Sequence, residues 1–398
     1  MVANFADADK MKNRNFPPFL VLVIGFTFAF FSEIAPALEY VRFLHDGKER
    51  NDEGRVILEV RSGIVFEARD GQLHAIQSIN LITRRSDDVP FVPYTKTEML
   101  ERLKEEFPPS EGYHFLDTHG PFIVVYTTSQ PFANRCGTLL ERLYDQYVLH
   151  WRELGVKLTA PEFPLVAVVL SSEERYRQYA QQEGVSLFPE QRAYYHKLTN
   201  RIVLHDLSGE QALREGEQRR INMADVEKFL SQPENIRSVV HEAVHQVGFN
   251  TGMHPRLAPN PVWLYEGLAV LHEVPDTRNR SGWTRGPHVN RPRLDQLRRS
   301  TGQLNVESAI RSIQTMIKDD KLFSNPQTAL NNYALAWGMT YYLVKRRSKE
   351  LAAYLKILQE KTSESDDNDE IRIKDFEDCF GSDWNAFYKD FANYLRRL

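Results

Sequence analysis

The sequence predicts an α+β protein, and three observations on the 398-residue chain carry that prediction. Residues 39–92 alternate apolar and polar side chains between turn dipeptides, as strands of an antiparallel β unit do. Residues 122–207 alternate strand-like and helix-like segments, and beyond Asn222 nearly every periodic segment carries the helical repeat. A composition of 42% hydrophobic and 26% charged residues is enough to bury a sizeable core. The net charge of -4 and pI of about 6.3 give no electrostatic reason to expect nucleic acid as a partner.

At the start, Lys10, Lys12 and Arg14 precede an apolar run from Phe19 to Phe31, and Ala35-Pro36-Ala37 follows as a small-x-small site. This pattern predicts a signal peptide over 1–37 and a secreted or periplasmic protein. Thirteen apolar residues (19 to 31) fall short of the roughly 20 that span a bilayer, so membrane attachment is expected only if the segment stays uncleaved. With two cysteines in an exported chain, Cys136 and Cys379, a disulfide-dense scaffold is excluded, and both are expected as unpaired thiols as readily as one bridge.

A β-rich N-terminal domain is expected over 38–107, built from YVRFL, VILEV, GIVFEA and LHAIQSINLI with turns at Asp46-Gly47, Ser62-Gly63 and Asp70-Gly71, and ending in a short helix, Thr97 to Phe107. Pro108 to Gly112 reads as a linker to a second domain, 114–398. There, strands at 122–128 and 164–170 alternate with helices at about 131–154 and 172–182, and 193–207 reads as a hairpin turning at Thr199-Asn200. Helices are expected over 331–346, 349–360 and 375–398. The acidic run Ser363 to Glu370 reads as a solvated loop rather than a calcium site.

The chemistry concentrates at HEAVH, His241 to His245, inside the apolar run IRSVVHEAVHQVGFN. On a helix, residues four apart share a face, so His241 and His245 present two imidazoles side by side, with Glu242 about 100° round the axis. Two such histidines chelate zinc, and the intervening glutamate serves as general base. Ile236, Val239, Val240, Val244 and Val247 make this a buried helix with Gly248 or Gly252 as its stop, where ionisable groups are costly unless a cation satisfies them. A third ligand is expected at Glu266, in the second turn of a helix with Asn260 as N-cap, Pro261 as its first residue and Pro275 helping to end it. The twenty residues from 246 to 265 suffice for the chain to reverse and bring that helix back against the first.

HEAVH followed by WLYEGLA (263–269) resembles the gluzincins, thermolysin-like zinc metallopeptidases, and most closely an MA-like bacterial branch pairing H-E-x-x-H-Q with W-x-x-E-G-x-A. The resemblance covers roughly Gly120 to Leu398 and is specific only at 241–246 and 263–269. It implies a zincin-like domain: a mixed sheet whose edge strand borders the cleft, for which NRIVLHDL (200–207) is the expected candidate, an active-site helix, and a helical C-terminal lobe. It maps His241, His245 and Glu266 onto the zinc ligands and Glu242 onto the base. It also implies a tyrosine or histidine from the helical lobe over the metal, and Tyr333 is the candidate, although Tyr333, Trp337, Tyr341 and Tyr342 also fit a helical core stripe. The family's acidic residue four positions after the ligand glutamate is here Val270, so support for a ligand histidine is expected from elsewhere, such as a backbone carbonyl.

The expected activity is zinc-dependent hydrolysis of a peptide bond in a peptide or protein substrate. The rival expectation is a non-catalytic secreted binding protein with a structural or vestigial metal site. His254, His272 and His288 are lesser candidates for the role given to Tyr333 and are expected rather at the surface. Seven arginines between Asp276 and Ser300 (278, 280, 285, 291, 293, 298, 299) are expected in a solvated loop or lining a cleft that prefers acidic substrates.

Overall fold

The computed structural model describes residues 36–189, 191–206, 208, 233–274, 287–302 and 304–398. The expected signal peptide lies almost wholly outside the described residues, as do Pro275 and Arg278, Arg280 and Arg285. Among the described residues no helix is long and apolar enough to cross a membrane.

The α+β prediction holds. Five antiparallel strands, β1 (Ala37–His45), β2 (Lys48–Val60), β3 (Gly63–Ala68), β4 (Leu73–Gln77) and β5 (Leu81–Pro90), form the first sheet in the order β4-β3-β2-β1-β5. Asp46 and Gly47 both take positive φ, which gives the two-residue turn between β1 and β2 the twist a hairpin needs. The segment LHAIQSINLI is not one strand: a 3-10 turn at Ser78–Asn80 breaks it and sends β5 to the opposite edge, beside β1. Val41, Phe43, Ile64, Phe66, Ala68 and Ile76 form this sheet's own small core.

The second sheet is mixed, with β6 (His114–Asp117), β7 (Phe122–Tyr126), β8 (Leu165–Leu170), β9 (Ala193–His196) and β10 (Arg201–His205) in the order β6-β7-β8-β10-β9. Strands β7, β8 and β10 are parallel, while β6 and β9 run antiparallel to their neighbours. The expected edge strand at 200–207 is therefore an interior strand. All five residues of β10 are buried, as an interior parallel strand requires, and the edge falls to the short β9.

Helices cover both faces. Met99, Leu103 and Phe107, on and just after α1 (Lys96–Glu106), and Tyr176 of α3 (Glu173–Gln182) pack with Ile123, Val125, Val166 and Val168 on one face. On the other face α2 (Gln130–Glu153) and α4 (Pro233–Asn250) pack on Phe122, Val124, Leu165 and Ala167, and that core continues into the helical lobe. The lobe comprises α5 (Val262–His272), α6 (Arg291–Thr301), α7 (Val306–Lys318), α8 (Ala329–Arg346), α9 (Ser348–Gln359), α10 (Asp369–Phe380) and α11 (Trp384–Arg396). The single helix expected over 375–398 is two, because Gly381 takes a φ of 90° after Phe380 and Asp383 caps a new helix. The acidic run fills the loop between α9 and α10 up to Asn368, with its last two residues opening α10, and its buried Asp367 side chain is held by Lys361 and Arg372. Both cysteines are free thiols.

Candidate metal centre

Helix α4 carries His241, Glu242 and His245 into the interior, where each is 2% exposed or less. The next residue, Gln246, pins the helix to the sheet: its Nε2 donates to the carbonyls of Asn200 at 2.7 Å and Val166 at 3.1 Å. Along the opposite edge of the contact, the Tyr195 backbone N–H of β9 donates to Glu242 Oε2 at 2.9 Å. The motif is thus registered against the edge strand by its own carboxylate. The helix runs to Asn250, and Gly252, with φ of 75°, follows its end.

Helix α5 follows the Pro-rich connection and packs against α4, and every residue from Trp263 to His272 is buried. Asn260 does not cap it: the Asn260 side chain donates to the carbonyls of Pro255 and Ala258, and the helix begins at Val262, whose N–H reaches Asp320 Oδ1 at 3.0 Å. Pro261, at the N-cap position, has no side-chain acceptor to offer, so a distant carboxylate accepts from the helix N-terminus. Gly267 sets the depth of α5 against α8. A Cβ there would lie 2.6 Å from Thr340 Cγ2 and 2.8 Å from the Ala336 carbonyl oxygen, and Thr340 Oγ1 donates to the Gly267 carbonyl at 3.1 Å.

That packing delivers Glu266, fully buried, to the two imidazoles. Its Oε2 lies 3.1 Å from His241 Nε2 and 3.6 Å from His245 Nε2, and one ligand atom from each of the three residues falls within 4.8 Å of the other two. Bonds of 2.0–2.2 Å in a tetrahedron separate ligand atoms by about 3.3 Å, so the trio needs little adjustment to hold zinc. Glu266 Oε1 and Glu242 Oε1 are buried with no hydrogen-bond partner among the described residues. Buried carboxylate oxygens left unpaired are costly, and a cation with its bound water satisfies such atoms. Two imidazole nitrogens and one carboxylate oxygen are a donor set that suits zinc.

Burial alone would raise the Glu266 pKa, but the two imidazoles outweigh it and hold the carboxyl at about 2. Burial dominates at Glu242, whose pKa is raised despite the neighbouring histidines. At His241 burial opposes the charge, yet Glu266 and Glu273 together pull its pKa up to about 10.

Glu273 is the residue the sequence reading missed. Its Oε1 lies 3.0 Å from His241 Nδ1, its Oε2 accepts from Asn290 Nδ2 at 3.3 Å, and Arg293 stands 3.7 Å away. The expected backbone carbonyl is thus replaced by a carboxylate. The signal is present in the sequence: Glu273 is seven positions after Glu266, two turns along and on the same face, one turn beyond Val270.

Tyr333 is brought to the centre, buried, with its ring centroid 6.2 Å from His241 and the Arg293 guanidinium carbon 5.6 Å from the ring. Trp337, Tyr341 and Tyr342 instead pack among themselves and with Phe387, Phe391 and Tyr394, the core stripe their spacing also allowed. His254 and His272 are buried rather than at the surface. The His254 ring lies against Phe249 and Tyr265, and His272 lies among Tyr147, His150 and Trp151, so neither joins the three ligands. His288 is half-buried. Of the described arginines, Arg291 donates to the Leu398 carbonyl and Arg299 to Gln296, away from the centre.

A family model described as a protein of unknown function (DUF1570) matches residues 235–364. The matched span holds His241, Glu242, His245, Glu266, Glu273 and Tyr333. No curated protein matches the chain.

Proposed function

We propose that the chain is a secreted or periplasmic zinc-dependent peptide-bond hydrolase of the gluzincin type, acting on a peptide or protein substrate. The observation that carries the reading is the division of labour on Glu242: one oxygen is held by the Tyr195 N–H, and the other is buried beside the three ligand side chains without a partner among the described residues. A structural metal site has no use for such a carboxylate.

His241, His245 and Glu266 would hold the ion, which supplies Lewis acidity and lowers the pKa of its bound water toward neutrality. Glu242 would take the proton at Oε1, while the hydrogen bond at Oε2 fixes the carboxylate plane, and burial, which raises the proton affinity of this carboxyl, makes it a stronger base than an exposed glutamate. The same oxygen then hands the proton to the leaving amine. Tyr333, whose ring centroid lies 6.2 Å from that of His241, would donate a hydrogen bond to the oxygen of the attacked carbonyl. Glu273, fixed by Asn290 and Arg293, holds the Nδ1 side of His241 and so keeps Nε2 directed at Glu266.

One observation favours a second reading, a structural metal site in a binding protein: the three ligand residues and Glu242 are all almost fully buried. Metal analysis together with hydrolysis of a mixed peptide library separates the two. The Glu242→Gln protein is expected to keep its zinc and lose about 10²- to 10⁴-fold in kcat/KM. Undiminished hydrolysis by that variant removes Glu242 from the reaction, and a zinc-loaded wild type inert toward every peptide leaves the structural site.

A further inference from the structure

Beyond the metal centre, the stripe that carries the ligands continues one turn along α4 to Phe249, four residues after His245. Two side chains of the edge-strand segment lie on that ring. Tyr195 stacks on it with centroids 5.9 Å apart and planes 16° apart, and Lys197 places its Nζ 4.8 Å from the ring centre. Strand β9 ends at His196 and Lys197 opens the turn beyond it, so it is the shared contact with the Phe249 ring that brings the two side chains together, while the Tyr195 N–H holds Glu242. The Lys197 ammonium therefore lies over Phe249, one helical turn beyond His245 on α4.

Among the described residues this ammonium has no counter-ion. Among the described residues Lys197 Nζ forms neither a hydrogen bond nor an ion pair, and the charged group acting on it from nearby is the like-charged guanidinium of Arg256. Arg256 is itself committed, donating to the carbonyls of Gly71 and Lys197 at 2.8 Å each and lying 3.4 Å from Glu67. The other polar side chain nearby, His254, is buried and its pKa is driven down to about 3, so it stays neutral and repels nothing. Burial and Arg256 lower the Lys197 pKa to about 8, which leaves it charged at neutral pH. A largely desolvated cation without a partner is costly, and its natural complement is an anion supplied from outside the chain.

The geometry points to Lys197 as a specificity residue that binds a carboxylate of the substrate, two or three residues from the bond that is cut. The distance class follows from one helical turn of about 5.4 Å between the levels of His245 and Phe249 and about 3.3 Å per residue of an extended peptide. The inference rests on the hydrolase reading for its location relative to a scissile bond. The cation comes from the turn that follows the edge strand and not from the arginine-rich stretch expected to favour acidic substrates.

The test uses C-terminally amidated fluorogenic peptides that differ by Asp or Asn at each position on both sides of the cleaved bond, plus a free-acid form of the Asn peptide. The wild type is expected to show a 10- to 100-fold lower KM with Asp at one position, the range of a hydrogen bond to a charged group. Lys197→Met abolishes that difference while still hydrolysing the Asn peptide, which shows that it folds, and Lys197→Arg retains it. A preference for the free-acid Asn peptide in place of an Asp position assigns the carboxylate to the chain terminus. Equal KM values for Asp, Asn and free-acid peptides, or a preference that survives Lys197→Met, overturns the inference. If no peptide is hydrolysed, the hydrolase reading fails separately, and fluorescence anisotropy with the same peptides on Glu242→Gln and on Glu242→Gln/Lys197→Met decides. Tighter, Lys197-dependent binding of a carboxylate-bearing peptide sustains the inference, and equal binding overturns it.

Discussion

His241, Glu242 and His245 were legible in the sequence because their chemistry is local: an i, i+4 pair on one helix fixes its own geometry. Glu266 was legible from the capacity of a twenty-residue connection to reverse. Glu273 was only half legible: the helical repeat puts it on the face of Glu266, but that this position rather than another on that face meets His241 depends on where the C-terminal end of α5 passes, a tertiary fact. Its contact with His241 Nδ1 at 3.0 Å makes a definite prediction. Glu273→Gln should weaken zinc binding by about 10- to 100-fold, read by competition with a chromogenic chelator, because the carboxylate no longer fixes the ring and its tautomer. Unchanged affinity in that variant would mean the contact is incidental.

At the level of elements, strand and helix identities followed from pattern, and errors arose where neighbours decide the outcome. The segment at 200–207 reads as a strand in any context, but its rank in the sheet depends on the hairpin partner β9 flanking it outside and β8 inside. The helical pattern over 375–398 ignored one glycine, and Gly381 in its left-handed conformation splits the run. Gly267 shows the converse: within WLYEGLA it looks like a helix-weakening residue, yet α5 approaches α8 so closely that a methyl group would meet Thr340 and the Ala336 carbonyl. Gly267→Ala is expected to destabilise the fold by about 1–3 kcal/mol in urea unfolding and to lower zinc affinity by moving the adjacent Glu266. A stable variant with normal zinc binding would show that α5 and α8 separate without cost.

For the whole molecule, the two sheets are tied at the hairpin tip. The Leu73 N–H donates to the Leu198 carbonyl at 2.7 Å, and Arg256 bridges Gly71 and Lys197, so the first sheet buttresses the strand that holds Glu242. Such long-range contacts were illegible, since the sequence pattern delimited the β unit without saying where it docks. The core between α2 and α5 also contains titratable groups. Burial lowers the pKa of His272 to about 3 and of His150 to about 4, below the ordinary 6.5 of the unfolded chain. The unfolded chain therefore binds protons that the fold refuses: the stabilising effect is complete above about pH 6.5 and is lost as pH falls toward 3 to 4. In His272→Gln the decline of unfolding free energy between pH 6.5 and 4 should be shallower than in the wild type. Equal slopes would contradict the neutral buried state of His272.

The central claim is that two helices bring His241, His245 and Glu266 together around one zinc ion, with 3.1 and 3.6 Å between the carboxylate oxygen and the imidazole nitrogens. Zinc content after exhaustive dialysis of the wild type and of Glu266→Ala, with circular dichroism to confirm folding, tests it most directly. The account predicts one zinc per wild-type chain and a folded, zinc-depleted Glu266→Ala. A wild type that takes up no stoichiometric zinc, or a variant that holds it as tightly as the wild type, would contradict it.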